Sequence, residues 1–335
     1  MDKADFPVNT VYVIDPDDAL MPYAEERAAA EVHGAKIVLG VGANPIIRDA
    51  EVILTNGFRL TAEIIRTLKR CRLIVKYGIG IDDIDLTAAT ECGIVVANAP
   101  TYCMHEVADH AAALALSFGR RIPYLDCQIR AGNWSTVQKE LWGVRRFSTQ
   151  TLGVIGLGKI GGQFAKRMAP FGFRILGYDP YLNDEQISVR GATPAALEDL
   201  LRESDLVSLH VPHTPQTHHI IDASKLALMK STAAIVNTSR GPVIDEVALI
   251  EALQEKRIFG AALDVLEQEP PATDNPLLQM DPLRVIVTPH FGASSAETLP
   301  DLHNEVAEAV AAVLADKWPP SVMNWTVVPK VPLLR

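Results

Sequence analysis

The chain has 335 residues, of which 48% are hydrophobic and 21% charged, a mixture typical of folded globular domains and not of disordered chains. It carries 31 basic and 41 acidic side chains, and the net charge of −10 disfavours nucleic acid as a partner, because phosphate binding requires clustered Lys and Arg. The longest apolar run, Ala309–Ala315, is far shorter than the ~20 residues of a membrane-spanning helix, so we expect no membrane partner.

At ~150 residues per domain, the whole chain is long enough for about two domains. Strands and helices alternate through roughly its first third. Short β-branched runs predict strands at Thr10–Ile14, Lys36–Leu39, Val52–Leu54, Leu73–Lys76 and Ile94–Val96. Helical periodicity lies between them, as at Tyr23–Val32 and Thr61–Lys69. This alternation predicts βα crossovers and therefore a parallel sheet.

A second series of alternating elements begins at Thr151, after an alanine-rich helical stretch, His105–Arg130, that is interrupted by Pro123. It predicts strands near Leu152–Ile155, Arg174–Tyr178, Leu206–Leu209, Ala233–Asn237, Gly260–Leu263 and Val285–Val287. Six strands match the two halves of a dinucleotide-binding fold, so we expect an α/β protein with a doubly wound parallel sheet.

The C-terminal region predicts one more helix. Apolar residues recur at three- and four-residue steps over Ala296–Lys317, and Pro319-Pro320 is expected to end this amphipathic helix. The tail that follows, Val327–Arg335, is interrupted by prolines and is expected to pack loosely.

A glycine-rich loop follows the first strand of the second series. Gly156, Gly158 and Gly161 form a G-x-G-x-x-G pattern that permits a tight turn, close approach of a pyrophosphate, and close packing of helix on strand. Asp179 ends the next strand, where a carboxylate would accept hydrogen bonds from an adenosine ribose. Because this carboxylate would repel a 2′-phosphate, the sequence predicts NAD as the cofactor in preference to NADP.

Polar side chains follow three later strands, at the edge where doubly wound sheets bind ligands. They are Arg240, Glu269 and His290. Hydride transfer at a carbon that bears oxygen requires a matching proton transfer, for which a His paired with a carboxylate is suited, and an Arg can hold a substrate carboxylate. Each residue taken alone also has an ordinary explanation, as a helix-end anion, a core histidine or a surface ion pair.

Several short motifs occur in one order along the chain and together carry a resemblance. They are V-K-Y-G-I-G-I-D-D-I-D at Val75–Asp85, N-A-P at Asn98–Pro100, V-A-D-H at Val107–His110, the glycine loop, H-x-P-x-T-x-x-T at His210–Thr217, N-T-S-R-G at Asn237–Gly241, L-D-V-x-x-x-E-P at Leu263–Pro270, and T-P-H-x-G at Thr288–Gly292. In these motifs the sequence resembles the NAD-dependent D-isomer-specific 2-hydroxyacid dehydrogenase family, in its phosphoglycerate-dehydrogenase-like and C-terminal-binding-protein-like branch.

The resemblance implies a catalytic trio in which His290 is the general acid or base, Glu269 its paired carboxylate, and Arg240 the group that binds the carboxylate and carbonyl of a small 2-keto acid. It places the substrate-binding backbone at Tyr77, Gly78, Ile79 and Gly80, with Ile79 also near the cofactor. It places the cofactor contacts at Gly156, Gly158, Lys159, Ile160, Gly161, Asp179, His210, Val211, Thr217, Thr238, Ser239, Asp264 and Gly292.

The resemblance also implies two Rossmann-like domains with a cleft between them. Residues 1–100 and 297–335 would form the substrate-binding domain, and residues 101–296 the NAD-binding domain. The segment from Gly132 to Phe147 lies where relatives form homodimer contacts. Its aromatic and aliphatic side chains, Trp134, Leu141, Trp142 and Phe147, would serve either as an interface or as a local core.

Some alternatives stay open from sequence. C-terminal-binding-protein-like members act as NAD(H)-sensing interaction proteins with little catalysis, and phosphoglycerate is a possible substrate, although the loop Thr55–Thr61 offers a single Arg for a phosphate. A small unphosphorylated acid such as glyoxylate, hydroxypyruvate or pyruvate fits better.

No metal is expected. His105 and His110 are five residues apart, so they face different sides of a helix, and the extended spacing of His210, His213, His218 and His219 around two prolines predicts no ligand geometry. The scattered cysteines and the acidic start of the chain, which does not resemble a secretory signal, predict reduced thiols and a cytoplasmic location.

Overall fold

The computed structural model describes residues 9–135, 137 and 144–334, and the chain divides into two compact units. One unit is formed by both ends of the chain, Met1–Cys103 and Ser294–Arg335, and the other is the continuous segment Met104–Ala293. Within the described residues, no helix has the length and apolar character that crossing a membrane requires.

The first unit contains a five-stranded parallel sheet in the order β2-β1-β3-β4-β5. Its strands are β1 (Thr10–Val13), β2 (Lys36–Leu39), β3 (Val52–Thr55), β4 (Leu73–Lys76) and β5 (Val95–Asn98). The helices between them are α1 (Ala24–Glu31), α2 (Ala62–Arg66) and α3 (Leu86–Glu91). Every residue of β1, β3 and β5 is buried, as expected for parallel strands covered on both faces.

The second unit contains a seven-stranded parallel sheet in the order β12-β11-β10-β9-β6-β7-β8. Its strands are β6 (Thr151–Ile155), β7 (Arg174–Tyr178), β8 (Thr193–Pro194), β9 (Leu206–Leu209), β10 (Ala234–Asn237), β11 (Gly260–Leu263) and β12 (Val285–Val287). Its helices are α4 (Met104–Gly119), α5 (Ile122–Arg130), α6 (Lys159–Met168), α7 (Asp184–Val189), α8 (Leu197–Glu203), α9 (Ala223–Leu226), α10 (Glu246–Gln254) and α11 (Pro276–Gln279). Short 3₁₀ helices span Asp18–Leu20 and Pro45–Asp49 in the first unit, and Phe147–Thr149, Ala169–Phe171 and Gly241–Val243 in the second.

The two parallel α/β sheets confirm the predicted fold class. The strand order of the second unit is that of a Rossmann fold with one further strand at an edge, and the order reverses between β6 and β9. Ligands of such sheets bind at the carboxyl ends of the strands beside this reversal. The two-residue edge strand Thr193–Pro194 was not predicted, because it is too short to show a pattern, and its proline is tolerated at an edge.

The long helical stretch ends and restarts two residues before the predicted break. Arg121 has a φ of 61° and separates α4 from α5, while Pro123 lies in the first turn of α5. A proline there removes an N–H group that has no partner in the helix anyway. The interruption therefore comes from the left-handed Arg121, and Pro123 is accommodated in the first turn of the next helix.

The last helix, α12 (Thr298–Leu314), packs in the first unit against α1 and β4. It ends well before the two prolines, because Asp316 adopts a φ of 57°. The expectation that the tail packs loosely is wrong: Lys330 N donates to Gly93 O at 3.0 Å, and Leu334 pairs with Lys317 in a parallel bridge.

Candidate active site

The glycine loop lies at the carboxyl end of β6. Gly156 has a φ of 85°, and a Cβ atom on it would lie 2.6 Å from the His210 carbonyl oxygen. A Cβ on Gly161 would lie 1.9 Å from the Gly156 carbonyl oxygen, whereas one on Gly158 would meet nothing within 4 Å. The first and third glycines are therefore required by packing, and the second leaves open space above the backbone.

Asp179 ties the end of β7 to this loop. Its Oδ2 accepts a hydrogen bond from Leu157 N at 2.9 Å, and its Oδ1 accepts one from Tyr181 N at 3.0 Å. The carboxylate is thus held beside the glycine loop, and each oxygen keeps lone pairs for further donors such as ribose hydroxyls.

These residues fit a dinucleotide. The helix α6 begins at Lys159 with Ile160 in its first turn, no side chain of a described residue caps it, and the space next to its N-cap Gly158 is open. Thr238 Oγ1 is buried and has no hydrogen-bond partner among the described residues, and its neighbour Ser239 is bonded to Asn237. An anion at the N-terminus of α6 would accept hydrogen bonds from the N–H groups of its first turn, and a polar ligand group near Thr238 would give its hydroxyl a partner.

His210 packs against the glycine loop, with its backbone carbonyl beside Gly156 and its Cβ beside Gly161. Its Nε2 is 2.9 Å from Ser208 Oγ, its ring lies against Phe164 with centroids 4.7 Å apart, and burial lowers its pKa to about 3. The imidazole is therefore neutral. Two further residues predicted to contact the cofactor have contacts within the protein. The Val211 side chain lies beside Gly156, and Thr217 Oγ1 donates to Pro212 O at 2.6 Å.

The structure brings His290 and Glu269 together, with Nδ1 of the imidazole 2.7 Å from Oε2 of the carboxylate. Glu269 Oε1 also accepts a hydrogen bond from Leu266 N at 2.9 Å. Burial alone would raise the pKa of Glu269, but these bonds and the charges of His290 and Arg240 outweigh it and lower the pKa. His290 has a φ of 52°, a strained backbone conformation of the kind that clusters at functional sites.

Asp264 holds the segment that carries His290. Its carboxylate is 2% exposed and accepts hydrogen bonds from Thr288 Oγ1 at 2.5 Å, Phe291 N at 2.9 Å and Gly292 N at 2.8 Å. His110 Nε2 lies 3.2 Å from the same group. Burial would raise the pKa of Asp264, but the hydrogen bonds together lower it, so the buried carboxylate is ionised.

Arg240 lies in a turn that Asn237 fixes. Asn237 Nδ2 donates to Arg240 O at 2.9 Å, and its Oδ1 accepts from Ser239 N at 3.0 Å. A Cβ on Gly241 would lie 1.9 Å from Leu266 O, so only glycine lets this turn pack on the segment that leads to Glu269. Arg240, Glu269 and His290 follow β10, β11 and β12, three adjacent strands of the sheet, and the Arg240 charge contributes to the lowered pKa of Glu269.

Four residues that support the site were not predicted individually. They are His110, Asn237, Gly241 and Thr288. All lie inside the motifs V-A-D-H, N-T-S-R-G and T-P-H-x-G, so the signal was present, but their partners are set by the fold.

The predicted substrate loop follows β4 in the first unit. Tyr77 is buried at 4% exposure, and Gly78 has a φ of 140°. Gly78 O accepts from Ala99 N at 3.1 Å, and Ile79 O accepts from Asn98 Nδ2 at 2.7 Å, while Gly80 ends the loop. The carbonyl groups are thus bound to the protein.

Two of the histidines around the prolines, His213 and His218, are in contact. His213 Nε2 lies 3.1 Å from His218 Nδ1, His218 stacks on His219, and His219 Nε2 lies 2.6 Å from Glu267 Oε1. One hydrogen bond accounts for the contact between the first two rings. Among the described residues, a three-ligand group with metal-binding spacing occurs at Glu25, Glu26 and His303.

The segment from Gly132 to Phe147 is partly local core. Phe147 stacks on Phe173 with centroids 4.9 Å apart, whereas Trp134 is 62% exposed. Leu141 and Trp142 lie outside the described residues.

Comparison with known proteins agrees with this geometry. Residues 112–292 match the family model described as "D-isomer specific 2-hydroxyacid dehydrogenase, NAD binding domain". The chain is 42% identical over 286 residues to D-3-phosphoglycerate dehydrogenase of Methanocaldococcus jannaschii, a match that covers 85% of this chain and 53% of the relative. It is 40% identical over 271 residues to glyoxylate reductase of Korarchaeum cryptofilum, which covers 80% of this chain and 81% of that one.

A solved structure is similar over almost the whole chain. D-lactate dehydrogenase from Aquifex aeolicus, in complex with NAD and lactic acid, superposes with a TM-score of 0.80 at 31% identity, covering 92% of this chain and 96% of that one. The chain spans about half the length of the phosphoglycerate dehydrogenases that it matches. The chain belongs to the D-isomer specific 2-hydroxyacid dehydrogenase family and contains that family's NAD-binding domain.

Proposed function

We propose that this protein is an NAD-dependent dehydrogenase that interconverts a small 2-keto acid and the corresponding D-2-hydroxy acid. The observation that carries the proposal is the 2.7 Å hydrogen bond between His290 and Glu269, on the sheet edge that also presents the glycine loop. Bound NADH would supply the hydride.

The proton is handled by His290. Glu269, whose pKa is lowered, accepts a hydrogen bond from Nδ1–H, which fixes the orientation of the ring and leaves Nε2 facing outward for proton transfer. Nε2 is then the atom that gives a proton to the carbonyl oxygen in reduction and takes it back in oxidation. Asp264 positions this step, because it holds the backbone directly after His290.

Arg240 and the loop Tyr77–Gly80 are proposed to bind the substrate. A guanidinium binds a carboxylate through two parallel hydrogen bonds and polarises a neighbouring carbonyl. The glycines at 78 and 80 let a carboxylate approach backbone N–H groups closely. On this assignment Met1–Cys103 with Ser294–Arg335 is the substrate-binding domain, and Met104–Ala293 the NAD-binding domain.

NAD is proposed in preference to NADP, because Asp179 stands where a 2′-phosphate would lie. The loop after β3, Thr55–Thr61, favours an unphosphorylated substrate over a phosphorylated one. Its backbone N–H groups at Asn56, Gly57 and Phe58 all donate to the Asp15 carboxylate, so they are engaged by an anion of the chain itself. Arg59 is then the only cationic side chain of Thr55–Thr61.

A homodimer in the cytoplasm completes the proposal. The exposed Trp134 supports an interface on the segment after α5, and no disulfide joins Cys71, Cys92, Cys103 and Cys127, which fits a reducing compartment.

The test is the consumption of NADH by the purified chain with a panel of glyoxylate, hydroxypyruvate, pyruvate and 3-phosphohydroxypyruvate, repeated with NADPH. We expect turnover of at least one unphosphorylated acid, faster with NADH than with NADPH at equal concentration. NADH binding without reduction of any acid would contradict the proposal and favour an NAD(H)-sensing interaction protein.

A further inference from the structure

A buried polar cluster lies beneath the loop that follows β4. Glu26 on α1 has 0% exposure, and its Oε1 accepts hydrogen bonds from the Tyr77 hydroxyl at 3.0 Å and from His303 Nδ1, on α12, at 2.7 Å. Tyr77 and His303 are themselves only 4% and 6% exposed. The cluster therefore joins a carboxylate, a phenol and an imidazole away from water.

Aromatic rings enclose this cluster. The rings of Tyr23, Tyr77 and His303 lie with centroids 5.9–6.1 Å apart, all tilted or edge-on to one another. Hydrogen bonds to a carboxylate are stronger in such a dry environment than at a surface. Burial and the charge of Glu26 also raise the pKa of Tyr77, so its hydroxyl stays a donor.

Stability alone does not account for this arrangement. Burying a carboxylate is costly, and apolar residues of similar volume are often as stabilising or more so. Glu26 Oε2 is buried without a partner in the part of the chain that the structure describes, so the cost is only partly offset. One of the bonds that are made holds the Tyr77 hydroxyl directly, and the other, from His303, holds the Glu26 carboxylate that accepts it.

Tyr77 is the anchored side chain at the start of the loop. It directly precedes Gly78, and Gly78 and Gly80 offer no side chain by which the loop could be held. The carbonyl oxygens of Gly78 and Ile79 are bound by Ala99 N and the Asn98 amide. The hydrogen bond of the Tyr77 hydroxyl to Glu26 is a third bond that holds this segment, at the residue before the loop.

We propose that Glu26 and His303 are positioning residues for the substrate: they fix Tyr77, and Tyr77 fixes the loop Gly78–Gly80 in the conformation that binds the carboxylate of the keto acid. This inference rests on the proposed function, because it assigns that loop to the substrate. It does not involve the cofactor, whose proposed contacts lie in the other unit apart from Ile79.

The first test compares Tyr77→Phe with Tyr12→Phe. Tyr12 is an equally buried tyrosine of the same unit whose hydroxyl accepts a hydrogen bond from Asn44 Nδ2, far along the chain from the loop. We expect Tyr77→Phe to raise KM for the keto acid roughly tenfold, the factor expected for one lost hydrogen bond to a charged group. The dissociation constant for NADH and kcat should change much less, and Tyr12→Phe should leave KM unchanged.

The histidine is tested by a conservative pair. His303→Asn keeps an N–H group near the position of Nδ1, whereas His303→Leu removes it and keeps the bulk. We expect His303→Leu to raise KM as Tyr77→Phe does, and His303→Asn to restore most of the wild-type KM. Equal KM values in both variants would contradict a positioning role and indicate a packing role.

A second measurement needs no turnover. Amide hydrogen exchange of the peptide that contains Gly78–Gly80 should be faster in Tyr77→Phe than in the wild type and unchanged in Tyr12→Phe. If the wild type reduces no acid but the loop exchanges faster, the proposed function fails and the positioning network stands. If Tyr77→Phe changes neither exchange nor KM in an active enzyme, the network inference is overturned.

Discussion

At the scale of single residues, contacts with its own backbone restrict which residues the glycine loop can contain. Gly161 faces the carbonyl oxygen of Gly156 from so close that any Cβ must displace the turn. Its neighbour Gly162 is also buried in α6, but there a Cβ would meet Leu157 O at 3.6 Å, an ordinary contact. The two glycines therefore belong to the same helix but differ in the room that is available for a Cβ atom.

Gly161→Ala and Gly162→Ala are therefore a matched pair. We expect Gly161→Ala to lower the free energy of unfolding by about 1–3 kcal/mol through overpacking and to weaken NADH binding. Gly162→Ala should be neutral or slightly stabilising, because alanine is the better helix former by roughly 1 kcal/mol. Thermal melting and NADH titration measure both effects, and equal behaviour of the two variants would contradict the packing argument.

At the scale of elements, Asp264 joins β11 to the segment after β12. Three donors of that segment, two of them backbone N–H groups, converge on one buried carboxylate. The Asp264 backbone also contacts the residue that lies between these donors in the sequence, since His290 N donates to Asp264 O at 2.8 Å. The position of the proposed acid–base group therefore depends on a residue of another strand.

Asp264→Asn tests this dependence. The variant leaves N–H donors facing an amide group, and we expect a loss of about 1–3 kcal/mol in the free energy of unfolding at pH 7. Because the pKa of Asp264 is lowered on folding, its charge stabilises the wild type above the unfolded pKa of ~3.9, and this stabilisation is lost as the pH falls through the folded pKa. The difference between wild type and variant should shrink below about pH 4, and a constant difference would contradict the assignment.

All strands except the two-residue β8 were predictable because each contains a short run of mainly apolar residues next to polar ones, as at Val52–Thr55 and Ala234–Asn237. The ends of the helices were harder to predict from the sequence. Arg121 ends α4 by a backbone conformation that no side-chain pattern encodes, and the tail after Val327 packs through backbone hydrogen bonds to Gly93. Local patterns do not report such contacts.

At the scale of the whole molecule, the chain forms its first unit from both termini and its second from the segment between them. Side chains from different motifs meet: Glu269 contacts His290, and Asp264 contacts His110, which was not predicted individually. The pairing of Glu269 with His290 came from the family resemblance. The Glu26–His303 pair, 277 positions apart, belongs to no motif and was not predictable.

Cofactor binding to the second unit should stabilise the folded chain. NADH at 100 times its dissociation constant is expected to add about 2.7 kcal/mol to the free energy of unfolding by mass action. NADPH at the same concentration should add less, because Asp179 disfavours the 2′-phosphate. Thermal melting with each nucleotide measures this, and a larger shift with NADPH would contradict the assignment of Asp179.

The most direct test of the whole account is the turnover number of His290→Asn, with NADH binding measured in the same preparation. Asparagine tolerates the left-handed backbone at this position, so the substitution removes the imidazole with little strain. His219→Asn is the matched control, since His219 has a φ of 50° and also pairs with a carboxylate, that of Glu267. We predict that His290→Asn lowers kcat by roughly 10²–10⁴ with NADH binding retained, while His219→Asn stays close to wild type. Wild-type turnover in His290→Asn would contradict the account.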